Sequence, residues 1–120
     1  MILKDTLYQL HSIQQEADQL IAEISLNAAD SIFGGHFPGN PVTPGVAQLE
    51  IVKELLSVHY NRPVQLKSIS NCKYLAIMNP VNNPEITVKL SVTEMENELK
   101  VTVVFAGGET IFTKIAGIYY

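Results

Sequence analysis

The chain has 120 residues, of which 47% are hydrophobic and 17% are charged, and its formal net charge is −4 at pH 7. A chain of this length has room for one hydrophobic core, so we expect residues 1–120 to form a single domain. The negative charge excludes the basic surface of a nucleic-acid-binding protein. The large apolar share predicts additional burial between subunits.

Cysteine content and the N-terminal residues predict the compartment. The single cysteine, Cys72, cannot form an internal disulfide, and no closely spaced Cys/His set suggests zinc. Polar residues from Asp5 onward interrupt the apolar run that a signal peptide needs, and no segment approaches the roughly 20 apolar residues of a membrane span. The sequence therefore predicts a cytoplasmic protein that binds no metal, nucleic acid or membrane.

Two strand-like segments, residues 7–15 and 18–26, begin the chain. The second alternates apolar and polar residues with one exception, although its Ala, Glu and Gln content also tolerates a helix. Residues 27–44 then form a long connection of the kind that is usually either functional or disordered. Interleaved apolar residues such as Phe33 and Phe37 favour an ordered, packed loop.

Residues 45–60 have the apolar spacing of a helix that is buried on most sides. The pattern leaves one narrow polar stripe, which consists of Glu50, Lys53, Glu54 and Ser57. A helix of this kind cannot rest on a flat sheet with its other side in water, so the sheet should curl around it. This predicts an α+β fold.

Four strand-like runs follow the helix, and turn signals rich in Asn, Pro and Gly separate them. The runs are residues 64–74, 85–95, 99–106 and 110–119. The last three predict an antiparallel meander, and the long apolar strands leave edges that dimerisation could pair.

The segment GHFPGNPVTPGV, residues 35–46, joins the connection to the helix. Its prolines hold the chain extended, and Gly45 leaves the first helical N–H groups approachable, which suits a carbonyl oxygen that gains negative charge. His36 is a candidate base, and Glu50 supplies a carboxyl group on the first turns of the helix. A base, an acid and an oxyanion site therefore fall in one short segment.

The longer segment HFPGNPVTPGVAQLE resembles the signature of the 3-hydroxyacyl-[acyl-carrier-protein] dehydratases of fatty-acid synthesis. The positions that match the family spacing are His36, Phe37, Pro38, Gly39, Pro41, Pro44, Gly45, Val46 and Glu50. The resemblance implies a hot-dog fold, in which an antiparallel sheet wraps around one long central helix. It also implies a homodimer or trimer of dimers, with His36 and Glu50 contributed to each active site by opposite subunits.

The resemblance implies specific roles for the matched residues. His36 would take a proton from C2 of a 3-hydroxyacyl thioester, Glu50 would help the 3-hydroxyl leave as water, and the Gly45 N–H would hold the thioester oxygen. Phe37 and Val46 would contact the substrate. The product is a trans-2-enoyl thioester, and no cofactor is needed beyond the phosphopantetheine arm that the acyl carrier protein brings.

Several residues depart from the family pattern. Asn40 replaces a residue that is often basic, Thr43 one that is often Met, and Glu54 one that is often Gln. Leu75 and Ala76 stand where arginine is frequent. These departures leave open a non-catalytic accessory subunit that binds an acyl carrier, and the shared fold leaves open an acyl thioesterase.

Each of these residues also has an alternative interpretation in which its role is purely structural. The Pro and Gly residues of the motif could merely shape a loop. His11 and His59 are expected to be surface or hydrogen-bonding residues, and Cys72 a small strand residue without a lowered pKa.

Overall fold

The computed structural model describes residues 2–35 and 41–120, which form six strands, one α-helix and one 3-10 helix. In chain order they are β1 (Tyr8–Glu16), β2 (Gln19–Leu26), the 3-10 helix (Ser31–Gly35), α1 (Gly45–Tyr60), β3 (Leu66–Tyr74), β4 (Glu85–Met95), β5 (Glu98–Gly107) and β6 (Thr110–Tyr119). All six strands lie in one antiparallel sheet with the order β1-β2-β4-β5-β6-β3. The predicted helix and the predicted β4-β5-β6 meander are both confirmed.

The end of α1 is fixed by a left-handed residue. Asn61 has φ 52° and ψ 44°, a conformation that Asn tolerates better than most residues. The N–H groups of Asn61 and Arg62 then donate to the carbonyls of Val58 (3.3 Å) and Ser57 (3.2 Å). These bonds satisfy carbonyl groups that the helix leaves open, and they turn the chain toward β3.

The core lies between α1 and the inner face of the sheet. Helix residues Ile51, Val52, Leu55 and Leu56 are fully buried, and alternate residues of β5 face them from the sheet side of the core. Burial of each large apolar side chain contributes about 1.5–3 kcal/mol, so this interface is the main source of stability. Phe33, in the long connection, is buried as predicted.

Glu54 corrects the prediction of a polar helix stripe, because its side chain is only 9% exposed. Its Oε2 accepts the Leu3 N–H at 2.7 Å, while Oε1 accepts the Lys4 N–H at 2.9 Å and the Tyr8 hydroxyl at 3.0 Å. The N-terminal residues therefore fold back over α1 and supply the donors that a buried carboxylate requires. A helical projection cannot predict this cover, because the covering residues lie outside the helix.

Strand β3 lies at one edge of the sheet, and within residues 2–35 and 41–120 it pairs only with β6. Most of its side chains are exposed, and the residues that continue from it include the exposed apolar side chains of Leu75 and Ile77. An unpaired strand edge beside apolar surface is a site where another chain can add a strand. Within the described residues, no helix is long and apolar enough to cross a membrane.

Two buried tyrosines, Tyr8 and Tyr119, make the folded protein less stable at alkaline pH. Burial raises the pKa of Tyr8 and of Tyr119 above the usual value of 10.0, and the Glu54 carboxylate raises that of Tyr8 further. The folded protein therefore binds these protons more tightly than the unfolded chain, so this stability is present below pH 10 and is lost as pH rises above it.

We expect urea unfolding midpoints to be level from pH 8 to 9.5 and to fall at pH 10.5 and 11. A smaller fall in Tyr119→Phe is the control, and midpoints that stay level to pH 11 would contradict the prediction.

Candidate active site

The N-terminal end of α1 is open for binding. Pro44 precedes it in an extended conformation, with φ −61° and ψ 148°, and provides no side-chain cap. The first helical hydrogen bond joins the Gln48 N–H to the Pro44 carbonyl at 3.2 Å. The N–H groups of residues 45–47 therefore lie outside the helical ladder, and the positive end of the helix dipole adds to their attraction for negative charge.

A cavity of about 500 Å³ opens at this end of α1. Residues 42–45 and Gln48 line one side, and residues 74–78, which follow β3, line the other. Every described residue that lines the cavity is uncharged, and most are apolar. The cavity therefore suits an uncharged, largely apolar ligand whose polar group meets the helix terminus.

Hydrogen bonds hold the walls of the cavity in place. The Thr43 N–H and hydroxyl both donate to the Met78 carbonyl at 2.9 Å. Gln48 is buried, and its amide donates to the Thr43 carbonyl (3.2 Å) while its Oε1 accepts the Thr113 hydroxyl (2.5 Å). These contacts connect the loop before α1 to both β6 and residue 78. Sequence reasoning missed Gln48 and Thr113; the only signal was a polar residue among the apolar positions of the helix.

Tyr74 covers the first residue of α1. Its hydroxyl lies so close to Gly45 that a Cβ atom at position 45 would overlap it, which explains why this position suits glycine. Partial burial raises the pKa of Tyr74 to about 12, although about half of the side chain is exposed, and the nearby Cys72 thiol contributes. The phenol is thus protonated at neutral pH and can donate a hydrogen bond beside the helix terminus. Tyr74 was predicted to end a strand and was assigned no role in the site.

Glu50 lies on α1 about 7.5 Å along the axis from Gly45, at the usual rise of about 1.5 Å per residue. Its side chain is 20% exposed, and its Oε1 lies 2.8 Å from the Lys53 ammonium, the helix neighbour that the sequence indicated. The charge of Glu50 also reaches inward, because it helps to raise the pKa of the buried Tyr119 phenol, after burial and Cys72. Glu50 therefore lies between the protein surface and the buried core.

The remaining predicted site residues divide into two groups. His36 and Phe37 lie in residues 36–40, outside the described part of the chain. Val46 begins α1 beside Gly45 but is 71% exposed and is absent from the cavity lining. The structure therefore brings Gly45 to the cavity and places Glu50 on the next turns of the same helix.

The other two histidines, His11 and His59, are surface residues, as expected. His11 is exposed and hydrogen-bonded to the Ser25 hydroxyl at 2.7 Å, and His59 packs edge-on against Tyr60 at the far end of α1. Across residues 2–35 and 41–120, no group of three or more His, Cys, Asp or Glu side chains could hold a metal ion.

Comparison with known proteins extends these observations. The family model described as "ApeI-like: ApeI dehydratase" matches residues 12–113. Curated 3-hydroxyacyl-[acyl-carrier-protein] dehydratases FabZ are similar to the chain: one from Legionella pneumophila is 29% identical over 62% of it, and one from Latilactobacillus sakei is 32% identical over 58%. The matches cover only 56% and 55% of those relatives, about half of their length.

Solved structures support the fold. The dehydratase heterocomplex ApeI:P from Xenorhabdus doucetiae contains a chain that matches with a TM-score of 0.71 at 19% identity, over 92% of this chain and 96% of that one. A putative thioesterase from Shewanella oneidensis matches with a TM-score of 0.56 at 12% identity, over 93% of this chain and 80% of that one. At these identities the likeness shows the fold alone, and it confirms the predicted hot-dog fold.

Proposed function

Because this chain belongs to the ApeI-like dehydratase family, we propose that it converts a 3-hydroxyacyl thioester, carried on acyl carrier protein, to the trans-2-enoyl thioester. The observation that carries the proposal is the start of α1 at Gly45, which faces a cavity whose described lining residues are uncharged, with Glu50 on the following turns. The elimination develops negative charge on the thioester oxygen, and the N–H groups of residues 45–47, which lie outside the helical ladder, can stabilise it.

The elimination breaks two bonds and forms one double bond. His36 takes the proton from C2, and the electron pair moves toward the thioester carbonyl, whose oxygen the Gly45 N–H stabilises. The C3–O bond then breaks as Glu50 gives its proton to the departing hydroxyl, which leaves as water. The proton on His36 returns to Glu50 before the next cycle. These steps use only side chains and backbone groups of the protein.

We also propose that the active site is completed by a second hot-dog subunit that pairs along β3. The free edge of β3 and the exposed apolar side chains of Tyr74, Leu75 and Ile77 support this arrangement. Pairing there would cover the open side of the cavity and exclude water from it. A homodimer is the simplest form, and it agrees with the family expectation that His36 and Glu50 act from opposite subunits.

The proposed reaction is tested with a short 3-hydroxyacyl pantetheine thioester and the matching carrier-bound thioester. Enoyl absorbance and free thiol are followed together, with His36→Ala as the control. Enoyl formation that is lost in His36→Ala, without thiol release, supports the proposal. Thiol release without enoyl formation would establish a thioesterase and reject it.

A second candidate function is an accessory subunit that binds an acyl carrier without turnover. Leu75 and Ala76 favour it, because these positions often carry arginine in the dehydratases that the sequence resembles. In that case the assay shows neither enoyl formation nor thiol release, even with a partner subunit present, while the acylated carrier still binds. Light scattering on the same samples gives the subunit composition.

Gly45→Ala is expected to lower turnover at least about tenfold without unfolding the protein. The new methyl group displaces the Tyr74 hydroxyl and narrows the approach to the helix N–H groups, whereas alanine itself favours the helix. The kcat/KM of Gly45→Ala is compared with that of Gly45→Ala/Tyr74→Ala, in which space is restored. Full activity in the single variant would contradict the prediction.

A further inference from the structure

Three exposed lysines lie in one row across the outer face of the sheet. Lys73 on β3 is directly opposite Lys114 on β6, Lys114 is opposite Val104 on β5, and Val104 is opposite Lys89 on β4. Lys89 and Lys114 each stand between buried neighbours, so their side chains point away from the core. We call Lys73, Lys114 and Lys89 the lysine row.

The lysine row is electrostatically unfavourable in the isolated chain. Directly opposed residues of antiparallel strands have Cβ atoms about 4.5–5.5 Å apart, and like charges at that spacing destabilise the sheet. Among the described residues, none of the three ammonium groups has an ion pair or a hydrogen bond, whereas Lys53 and Lys67 pair with Glu50 and Glu98. Lys73 and Lys114 are therefore unfavourably close, and Lys89, on the far side of Val104, adds a third positive charge to the same face of a chain whose net charge is −4. An anionic partner would remove that repulsion.

The lysine row begins at the end of β3, where the chain continues into the cavity wall. Lys73 immediately precedes Tyr74 and Leu75, which line the cavity. The N–H groups of Leu75 and Ala76 donate to the Phe112 carbonyl, at 2.8 and 3.2 Å, so β6 carries Lys114 past the same place. Among the described residues, none of those that line the cavity is charged. The lysine row therefore offers positive charge on the strands that continue into the cavity wall, where a carrier can be recognised.

The shape of the lysine row favours a protein surface over a single phosphate. Three strand spacings of about 4.8 Å separate its ends, so it extends roughly 14 Å, which is wider than one phosphate group. The next row along the sheet consists of Ser91, Thr102, Ala116 and Asn71. These neutral and mostly small side chains allow a broad partner to approach closely.

We propose that the lysine row is the docking surface for an acidic face of the acyl carrier protein that delivers the substrate to the cavity. This inference rests on the proposed function, and it identifies which residues recognise the carrier. Because these lysines are exposed, their charges act mainly on the rate of association with the carrier, and the effect weakens as salt screens them.

Lys114→Glu and Lys100→Glu form a matched pair of variants. Lys100 is also an exposed lysine on the sheet, but it is opposite Thr93 and Ile118 and lies outside the lysine row. With carrier-bound 3-hydroxyacyl substrate, Lys114→Glu is expected to raise KM at least about tenfold with kcat retained, and Lys100→Glu to change it less than about twofold. With the pantetheine thioester, both variants should match the wild type.

Three results would overturn the lysine row as a docking surface. They are an unchanged KM in Lys114→Glu, an equal rise in Lys100→Glu, and an equal rise with a 3-hydroxyacyl-CoA, which would assign the effect to phosphate groups. If the wild type turns over neither substrate, the proposed reaction fails, and the inference is tested separately by fluorescence anisotropy with labelled carrier protein. Weaker binding by Lys114→Glu but not by Lys100→Glu supports it in that case, and equal binding rejects it.

Discussion

Glu50→Gln is expected to lower kcat for the dehydration by about a hundredfold to ten-thousandfold, the usual contribution of a general acid. Glutamine keeps the size of the side chain but cannot give a proton to the leaving hydroxyl. The fold should be retained, because Glu50 is partly exposed and its ion pair with Lys53 contributes at most about 1 kcal/mol at such a site. The measurement is kcat from enoyl absorbance, beside thermal unfolding of the same sample.

Glu16→Gln is the matched control for the lost charge, since Glu16 is exposed at the end of β1. It should keep the activity of the wild type. A Glu50→Gln protein that turns over normally would remove Glu50 from the mechanism. An inactive protein that has also lost its cooperative unfolding would show a structural role instead, and Glu50→Asp would then separate the two roles, because it keeps the carboxyl group.

Glu54→Ala is expected to lower the free energy of unfolding by about 3 kcal/mol. The substitution removes the acceptor of three hydrogen bonds and leaves the Leu3 and Lys4 N–H groups and the Tyr8 hydroxyl without it. The N-terminal residues can move toward water and find new hydrogen-bond partners there. The lost free energy of unfolding is therefore smaller than the sum for three buried hydrogen bonds. Urea unfolding followed by circular dichroism gives the value.

Tyr8→Phe and the double variant Tyr8→Phe/Glu54→Ala complete a double-mutant cycle with Glu54→Ala. The double variant should be less destabilised than the sum of the two single changes, because each removes the same bond. Folded Glu54→Ala should still dehydrate substrate, because Glu54 has no part in the proposed reaction. Wild-type stability in Glu54→Ala would contradict the N-terminal cover that the structure shows.

The sequence predicted the elements well where one periodic pattern extended between clear turn signals. Helix α1 and strands β4 and β6 have the predicted bounds, and β3 begins two residues later than predicted. Apolar spacing decides these elements locally, and Asn, Pro and Gly mark their ends. The motif before α1 also gave the position of Gly45 correctly, because a helix start is a local property.

The site was less predictable, because its contacts join residues that are distant in sequence. Gln48 meets Thr113 across 65 positions, and Glu54 meets Leu3 across 51. The Tyr74 hydroxyl reaches Gly45 only because β3 pairs with β6 and then turns past the start of α1. Periodicity shows which face of an element is apolar, but it does not show which polar groups meet inside.

The pairing of β3 with β6 also governs the order in which the molecule can assemble during synthesis. Strands β1 and β2 can form a hairpin as soon as both have left the ribosome, whereas β3 must wait until residues 113–119 are made. The wall of the cavity is held by the Phe112 carbonyl, so it too forms late. Until then the apolar face of α1 is uncovered on one side, and a nascent chain that stalls after β5 would expose it to chaperones and aggregation.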